Sequence, residues 1–289
     1  MAELYKDALL SHGYVIVPSN LSQSQINDLR QACEHVKSLA VAGKWPHIRT
    51  LPKQFPPWSS DVSKGIWGVQ HLMHPDLPFH DLFTTSYFSD FVVQPVKELL
   101  SCSEEQLVME LYNLLVTPTY DFSLRWHRDD ISPSATLAEE LAKLSQPALH
   151  AQWNLALYDD ASLVVIPGSH NRARTEVERA ADPYTEDLPD QLSVRLRAGD
   201  VVFYNNNILH RGVYKSTAQR MTLHGSIGHV AAGRARARNV LQHGVGAWAD
   251  RCKFDGLKDE SLKKRAEIMR EKLLELGREA EHVGFSQED

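Results

Sequence analysis

From residue 107 onward the chain reads as strand after strand: "LVMELYNLLVTP", "SLRWHRD", "LHAQWNLALYD", "SLVVIPGSH", "LSVRLRAGDVVFYNN" and "RMTLHGSIGHV". These stretches are rich in β-branched and aromatic residues, and turn formers such as Pro167-Gly168 and Gly199-Asp200 punctuate them. Six or more short strands within about 125 residues leave few solutions, because every apolar sheet face has to be covered by a second layer. The pattern predicts a mainly β fold with flanking helices, a β-sandwich or jelly roll whose open mouth can hold a ligand.

Helices are expected around that β core. In "HGYVIVPSNLSQSQINDLRQACEHVKSLA" a short strand (Tyr14 to Val17) leads into a helix, with Ser22 and Gln25 as a capping box and Ile26, Leu29, Cys33 and Val36 at helical spacing. A second capping box, Thr136 with Glu139, places a short helix in the 131 to 147 insertion. The tail, about 259 to 283, carries Leu262, Ala266, Met269, Leu273, Leu276 and Ala280 on one stripe, an amphipathic helix that docks on the domain or on a second subunit of a homodimer. Residues 41 to 85 are irregular and rich in Trp, Pro and His, which reads either as a pocket wall or as a packed surface excursion. With no repeat or linker, residues 1–289 are expected to form one domain: a helical cover over 1–106, the β core over about 107–230, then the tail helix.

Composition excludes several classes. A formal charge of −6 argues against a nucleic-acid partner, and "AAGRARARN" (231 to 239) is a solvated basic loop on this reading. No apolar run reaches membrane-spanning length, and neither a secretory signal nor a peroxisomal ending is visible, so the cytoplasm is the expected compartment. Cys33, Cys102 and Cys252 are too widely spaced for a disulfide framework or a thiolate zinc site. Phosphate-loop, HExxH and GxSxG signatures do not occur.

The chemistry-bearing motif is "RWHRDD" (125 to 130). On a strand His127 and Asp129 share a face while Arg128 points away. An imidazole beside a carboxylate makes two thirds of a facial ferrous site; the other reading is a hydrogen-bonded pair at a strand end. The best candidate for the missing histidine is His210, which follows an apolar strand and an Asn-rich turn. Ten residues further, Arg220 begins another strand, where a guanidinium can clamp a carboxylate. His71 and His74 in "VQHLMHP" are a rival metal pair, while Gln70 or His71 can line a substrate mouth. Trp45, Trp58 and Trp67 either stack a planar substrate or simply pack. Asp130 is expected to face away from Asp129.

"WHRDD", "QWNLALYDDASLVVIPGSH", "RAGDVVFYNNNILHRG" and "QRMTL", together with the opening "HGYVIVPSNLSQSQINDLRQA", resemble the phytanoyl-CoA dioxygenase family of Fe(II)/2-oxoglutarate-dependent oxygenases, in style its fungal, small-molecule branch. The resemblance spans roughly residues 5 to 230 and implies a double-stranded β-helix, or jelly roll. It further implies Fe(II) on His127, Asp129 and His210, 2-oxoglutarate as cosubstrate with Arg220 on its distal carboxylate, Trp153 lining that end, and O2 as oxidant. Asn113, by strand parity with Leu115 and Thr117, is a candidate to present an amide to the cosubstrate. The implied reaction couples conversion of 2-oxoglutarate to succinate and CO2 with hydroxylation of a small organic molecule, a secondary metabolite on this reading. Desaturation, epoxidation or endoperoxide formation at the same site, or a non-catalytic jelly-roll binding protein, are the alternatives. Because Asp129 is retained, oxygen chemistry is expected over halogenation. Two departures stand out: Gly212 replaces the usual hydroxyl residue after the distal histidine, and "DDAS" shortens the segment before "PGSH".

Overall fold

The computed structural model describes residues 2–185, 187–278 and 282–283. In chain order the elements are α1 (Ala2–His12), β1 (Tyr14–Pro18), α2 (Gln23–Val41), β2 (Ile48–Thr50), β3 (Ile66–Val69), α3 (His80–Phe88), α4 (Asp90–Leu100), β4 (Leu107–Val116), β5 (Phe122–Ser123), α5 (Leu137–Leu144), β6 (His150–Ala156), β7 (Leu163–Val165), α6 (Glu176–Ala180), β8 (Leu192–Ser193), β9 (Asp200–Tyr204), β10 (His210–Tyr214), β11 (Met221–His229), α7 (Gly233–Gln242) and α8 (Glu260–Arg278). The strands form a seven-stranded antiparallel sheet, β1-β9-β6-β11-β4-β3-β2, and a four-stranded one, β5-β10-β7-β8. This is the jelly roll expected from the turn-punctuated strands.

Alternation along the strands decides what faces what. On β9, Val201 and Phe203 belong to the main core while Val202 and Tyr204 join a second cluster with Leu163 and Val165 of the small sheet and Ile208 just before β10. Both faces of this strand are therefore buried, one under helices and one between the sheets. On β6 the same parity puts Ala151, Trp153 and Leu155 in the main core and Gln152 and Asn154 on the wall of the cavity between the sheets.

Helices cover the other face of the large sheet. Ser22 and Gln25 form the expected capping box of α2, which buries Ile26, Leu29, Cys33 and Val36. In α8 the stripe buries Ala266, Met269 and Leu273 and leaves Leu262 and Leu276 half-buried, packed against α7 and β4. The helix is described as far as Arg278; Ala280 lies outside the described residues, and His282 and Val283 are not helical. No helix among the described residues is long and apolar enough to cross a membrane.

Two expectations change. The irregular stretch 41 to 85 contains β2 and β3, which widen the large sheet at its edge, and the first turns of α3. The "AAGRARARN" segment is the start of α7 instead of a solvated loop, and its Arg236 turns inward to pair bidentately with buried Glu110 at 2.8 and 2.5 Å. A run of arginines says nothing about which of them finds an interior partner.

Candidate active site

"RWHRDD" is an irregular segment whose order comes from its partners, not the continuous strand its composition suggests. His127 and His210 exchange backbone hydrogen bonds, 3.1 Å in each direction, and the Asp129 amide donates to the Asn206 carbonyl at 2.8 Å. Arg128 points away, as expected, and is buried. Its guanidinium donates to the carbonyls of Ser169 and Asn207 and of Arg172, and lies 3.5 Å from Glu140. Glu140, on the α5 insertion helix and fully buried, also takes Arg174 and Arg179. The insertion thus anchors the arginine that sits between the two candidate ligands.

The imidazoles of His127 and His210 lie 4.2 Å apart, centroid to centroid. Each Nδ1 contacts a main-chain carbonyl at 2.9 Å, that of Arg125 for His127 and that of Ile208 for His210. A carbonyl only accepts, so His210 carries its proton on Nδ1 and presents an Nε2 lone pair; the Nδ1 of His127 also lies 3.2 Å from the Gln54 amide nitrogen, and its ring is held through Nδ1 with Nε2 turned toward Asp129. Both Nε2 atoms face the same Asp129 oxygen, at 3.4 and 3.6 Å. The other Asp129 oxygen accepts from Gln152 at 2.8 Å. Burial pushes His210 down to about 4, with His127 adding to the shift and Asp129 opposing it, so the ring is neutral at pH 7. Burial acts to raise the Asp129 pKa, but the charge of His210 and the interactions with His127 and Gln152 prevail and hold the carboxyl below the usual range. Two imidazoles and one carboxylate converging within 4.8 Å form the single metal-capable group found among the described residues. That donor set suits a ferrous ion with open positions. His71 and His74 instead pack with His47 and Trp248, and belong to no such group.

These residues border a cavity of about 630 Å³ between the sheets. Arg220 lies on its wall, its Nε 3.4 Å from Asp160 and its guanidinium 4.3 Å over the Tyr214 ring. Its Nη1 is buried and has no partner among the described residues. Burial would raise the Asp160 pKa; Arg220 and hydrogen bonds from Ser162 and Thr222 bring it below the ordinary carboxylate range. An oriented guanidinium with an unused N–H fits a carboxylate ligand. Tyr214 folds over Gly212, where an added Cβ would overlap its hydroxyl. The hydroxyl missing at position 212 is therefore replaced, at the same place on the wall, by a phenol from two residues further along.

Other expectations need correcting. Trp153 does not line the cavity: strand parity turns it to the opposite face, where it is fully buried against Tyr87 and Phe203. Gln70 and His71 are likewise buried away from the wall, the Gln70 carbonyl taking the Trp45 indole N–H and the His71 amide donating to Asn113. Trp67 does line the cavity, beside Trp58, whereas Trp45 packs in the core. Asn113 sits behind the wall; its carbonyl oxygen is used by His71, and its Nδ2 is buried without a partner among the described residues. Asp130 lines the cavity and accepts from Asn206, where it was expected to face away. Sequence reasoning passed over Gln152, Asp160, Arg49 and Tyr214. For Gln152 a signal existed: polar residues at 152 and 154 in an otherwise apolar strand mark the cavity face and, with it, exclude Trp153.

A family model described as phytanoyl-CoA dioxygenase (PhyH) matches residues 9–222. No curated protein matches the sequence. Among solved structures, AviO1 from Streptomyces viridochromogenes Tue57 is similar at 18% identity and a TM-score of 0.58, over 80% of this chain and 96% of that one. EctD from S. alaskensis, with 2-oxoglutarate and 5-hydroxyectoine, is similar at 15% identity and a TM-score of 0.56, over 79% and 76%. HygX from Streptomyces hygroscopicus, with nickel, 2-oxoglutarate and hygromycin B bound, is similar at 16% identity and a TM-score of 0.54, over 79% and 88%. At such identities the likeness concerns the fold.

Proposed function

The chain belongs to the phytanoyl-CoA dioxygenase family and is an Fe(II)/2-oxoglutarate-dependent oxygenase, and from that premise we propose that it hydroxylates a small polar organic molecule, acting as one catalytic domain. In this reading His127, Asp129 and His210 hold the iron and Arg220 holds the distal carboxylate of 2-oxoglutarate. The observation that carries it is the pair of Nε2 atoms aimed at one Asp129 oxygen, in the same cavity as the unused Nη1 of Arg220.

Iron with bound 2-oxoglutarate supplies the oxidising power that converts O2, 2-oxoglutarate and a substrate C–H bond into succinate, CO2 and an alcohol. The chain's own part is placement. The carbonyl of Ile208 fixes the tautomer of His210, Arg125 and Gln54 hold the His127 ring through its Nδ1, and Gln152 holds Asp129 so that one oxygen remains directed at the imidazoles. Asp160 sets the plane of the Arg220 guanidinium, and Tyr214 covers its face. Substrate is bound by the rest of the wall, where amides and imidazoles such as Asn154, Asn206, His150 and His224 are interspersed with apolar groups. That lining supports a substrate rich in hydrogen-bonding groups, in keeping with the hygromycin B of the HygX structure and the 5-hydroxyectoine of the EctD structure.

The test is product mass. Metabolite extracts incubated with protein, Fe(II), 2-oxoglutarate and 18O2 should yield a product that has gained one labelled oxygen, with succinate formed in equal amount. Loss of two hydrogens would point to desaturation and gain of both oxygens to endoperoxide formation; an epoxide, equal in mass to the alcohol, is told apart by the loss of olefinic signals in its NMR spectrum.

A further inference from the structure

Three arginines border the cavity, and two of them are matched by a carboxylate: Arg220 by Asp160 at 3.4 Å, and Arg236 by Glu110 at 2.5 Å. The third, Arg49, has no carboxylate partner among the described residues. It projects from β2 opposite Gly68, where a Cβ would fall 2.9 Å from the Arg49 Cδ, so the missing side chain is what lets the arginine cross the sheet. Its guanidinium carbon lies 5.0 Å from the Trp58 ring and 5.3 Å from the Trp67 ring. The Nε is buried without a hydrogen-bond partner among the described residues. Burial pushes its pKa down to about 10, and the groups that oppose the shift are the phenols of Tyr214 and Tyr204, not a carboxylate. At neutral pH it is a cation.

A desolvated cation without an anion is costly, and two indole faces offset only part of that cost. Such an arrangement persists where an anion completes it. We propose that Arg49 binds a carboxylate inside the cavity, a second one, separate from that held by Arg220. The chemistry fits two sources: the carboxylate of 2-oxoglutarate remote from Arg220, or a carboxylate on the organic substrate. The inference rests on the function proposed above for the identity of the cosubstrate, while the unmatched charge stands independently of it.

Calorimetric titration of the Mn(II)-loaded protein tests this without turnover. Two probes are used: 2-oxoglutarate, and benzoate added to protein already saturated with 2-oxoglutarate, with benzamide as its neutral counterpart. If the cosubstrate is the source, Arg49→Met weakens 2-oxoglutarate at least tenfold and Arg49→Lys restores part of the loss. If the substrate is the source, 2-oxoglutarate affinity is unchanged, wild type binds benzoate in preference to benzamide, and Arg49→Met removes that preference. Thermal unfolding of the same variants identifies a purely structural role: a lower midpoint in Arg49→Met, with both affinities within twofold of wild type, overturns the proposal. So does a wild type that binds no benzoate together with a variant that binds 2-oxoglutarate normally. Should Arg49→Met fail to fold, Arg49→Gln takes its place. A wild type that does not bind 2-oxoglutarate at all would count against the proposed function, a result distinct from any of these.

Discussion

The backbones of His127 and His210 are paired reciprocally, each amide donating to the other's carbonyl at 3.1 Å. Two residues far apart in sequence are thereby brought side by side, with their rings 4.2 Å apart, before any metal is considered. The geometry of the candidate centre is thus set by main-chain pairing to β10, and the His210 tautomer by a main-chain carbonyl. Side-chain substitutions at the ligands should therefore alter the chemistry more than the fold.

Arg220 is expected to matter through its unused N–H. Charge-assisted hydrogen bonds contribute about 1.5–3 kcal/mol, so Arg220→Ala should weaken 2-oxoglutarate by roughly one to two orders of magnitude. Asp160→Asn leaves the arginine in place but less well oriented. A smaller rise in KM for 2-oxoglutarate, with kcat nearly unchanged, is the expected outcome in steady-state succinate assays.

Gly212→Ala should displace the Tyr214 ring, because the new methyl would overlap the phenol oxygen. Overpacking of this kind costs about 1–3 kcal/mol. Chemical denaturation should show that loss, and 2-oxoglutarate affinity should fall with it, since Tyr214 covers the face of Arg220.

Glu140 is the buried counter-charge of Arg128, Arg174 and Arg179. Removing one partner from a buried ionic cluster costs about 3–5 kcal/mol, so Glu140→Ala should be among the most destabilising substitutions on the small-sheet side. Denaturation midpoints would reveal it. Metal affinity should drop as well, because Arg128 lies between His127 and Asp129.

Acid sensitivity should come from buried neutral histidines. Burial, reinforced by His47, His74 and Arg49, pushes His71 down to about 3, whereas an unfolded histidine titrates near 6.5. Between those values the unfolded chain binds one more proton than the folded one. Stability should therefore rise with pH across that window, by about 1.4 kcal/mol per unit for this residue alone, and level off above about 6.5. His71→Asn tolerates the left-handed backbone at this position and should flatten the slope by about one proton's worth, measured by denaturation at a series of pH values.

Much of this was legible in the sequence. Turn-punctuated strands pointed to the jelly roll, and the capping boxes at Ser22 and Thr136 marked two helices where the structure has them. His127, Asp129, His210 and Arg220 were named as candidates, and all four border one cavity. What failed did so for identifiable reasons. Trp153 was carried over by position in a motif, against the polar alternation of its own strand. Gln70 and His71 lie in a segment whose short strands β2 and β3 are set by pairing to distant β4, which periodicity within the segment does not reveal. Arg49 and Asp160 are ordinary charged residues in sequence, and only the presence or absence of a partner across the fold distinguishes them.

The central claim, that His127, Asp129 and His210 share one ferrous ion, is tested most directly by anaerobic Fe(II) binding to purified wild type and to the three single alanine variants. One equivalent of iron per wild-type chain, with at least a hundredfold weaker binding in each folded variant, is the predicted result. A His210→Ala protein that keeps wild-type affinity and stoichiometry would contradict it, because the metal would then lie somewhere other than between these three side chains.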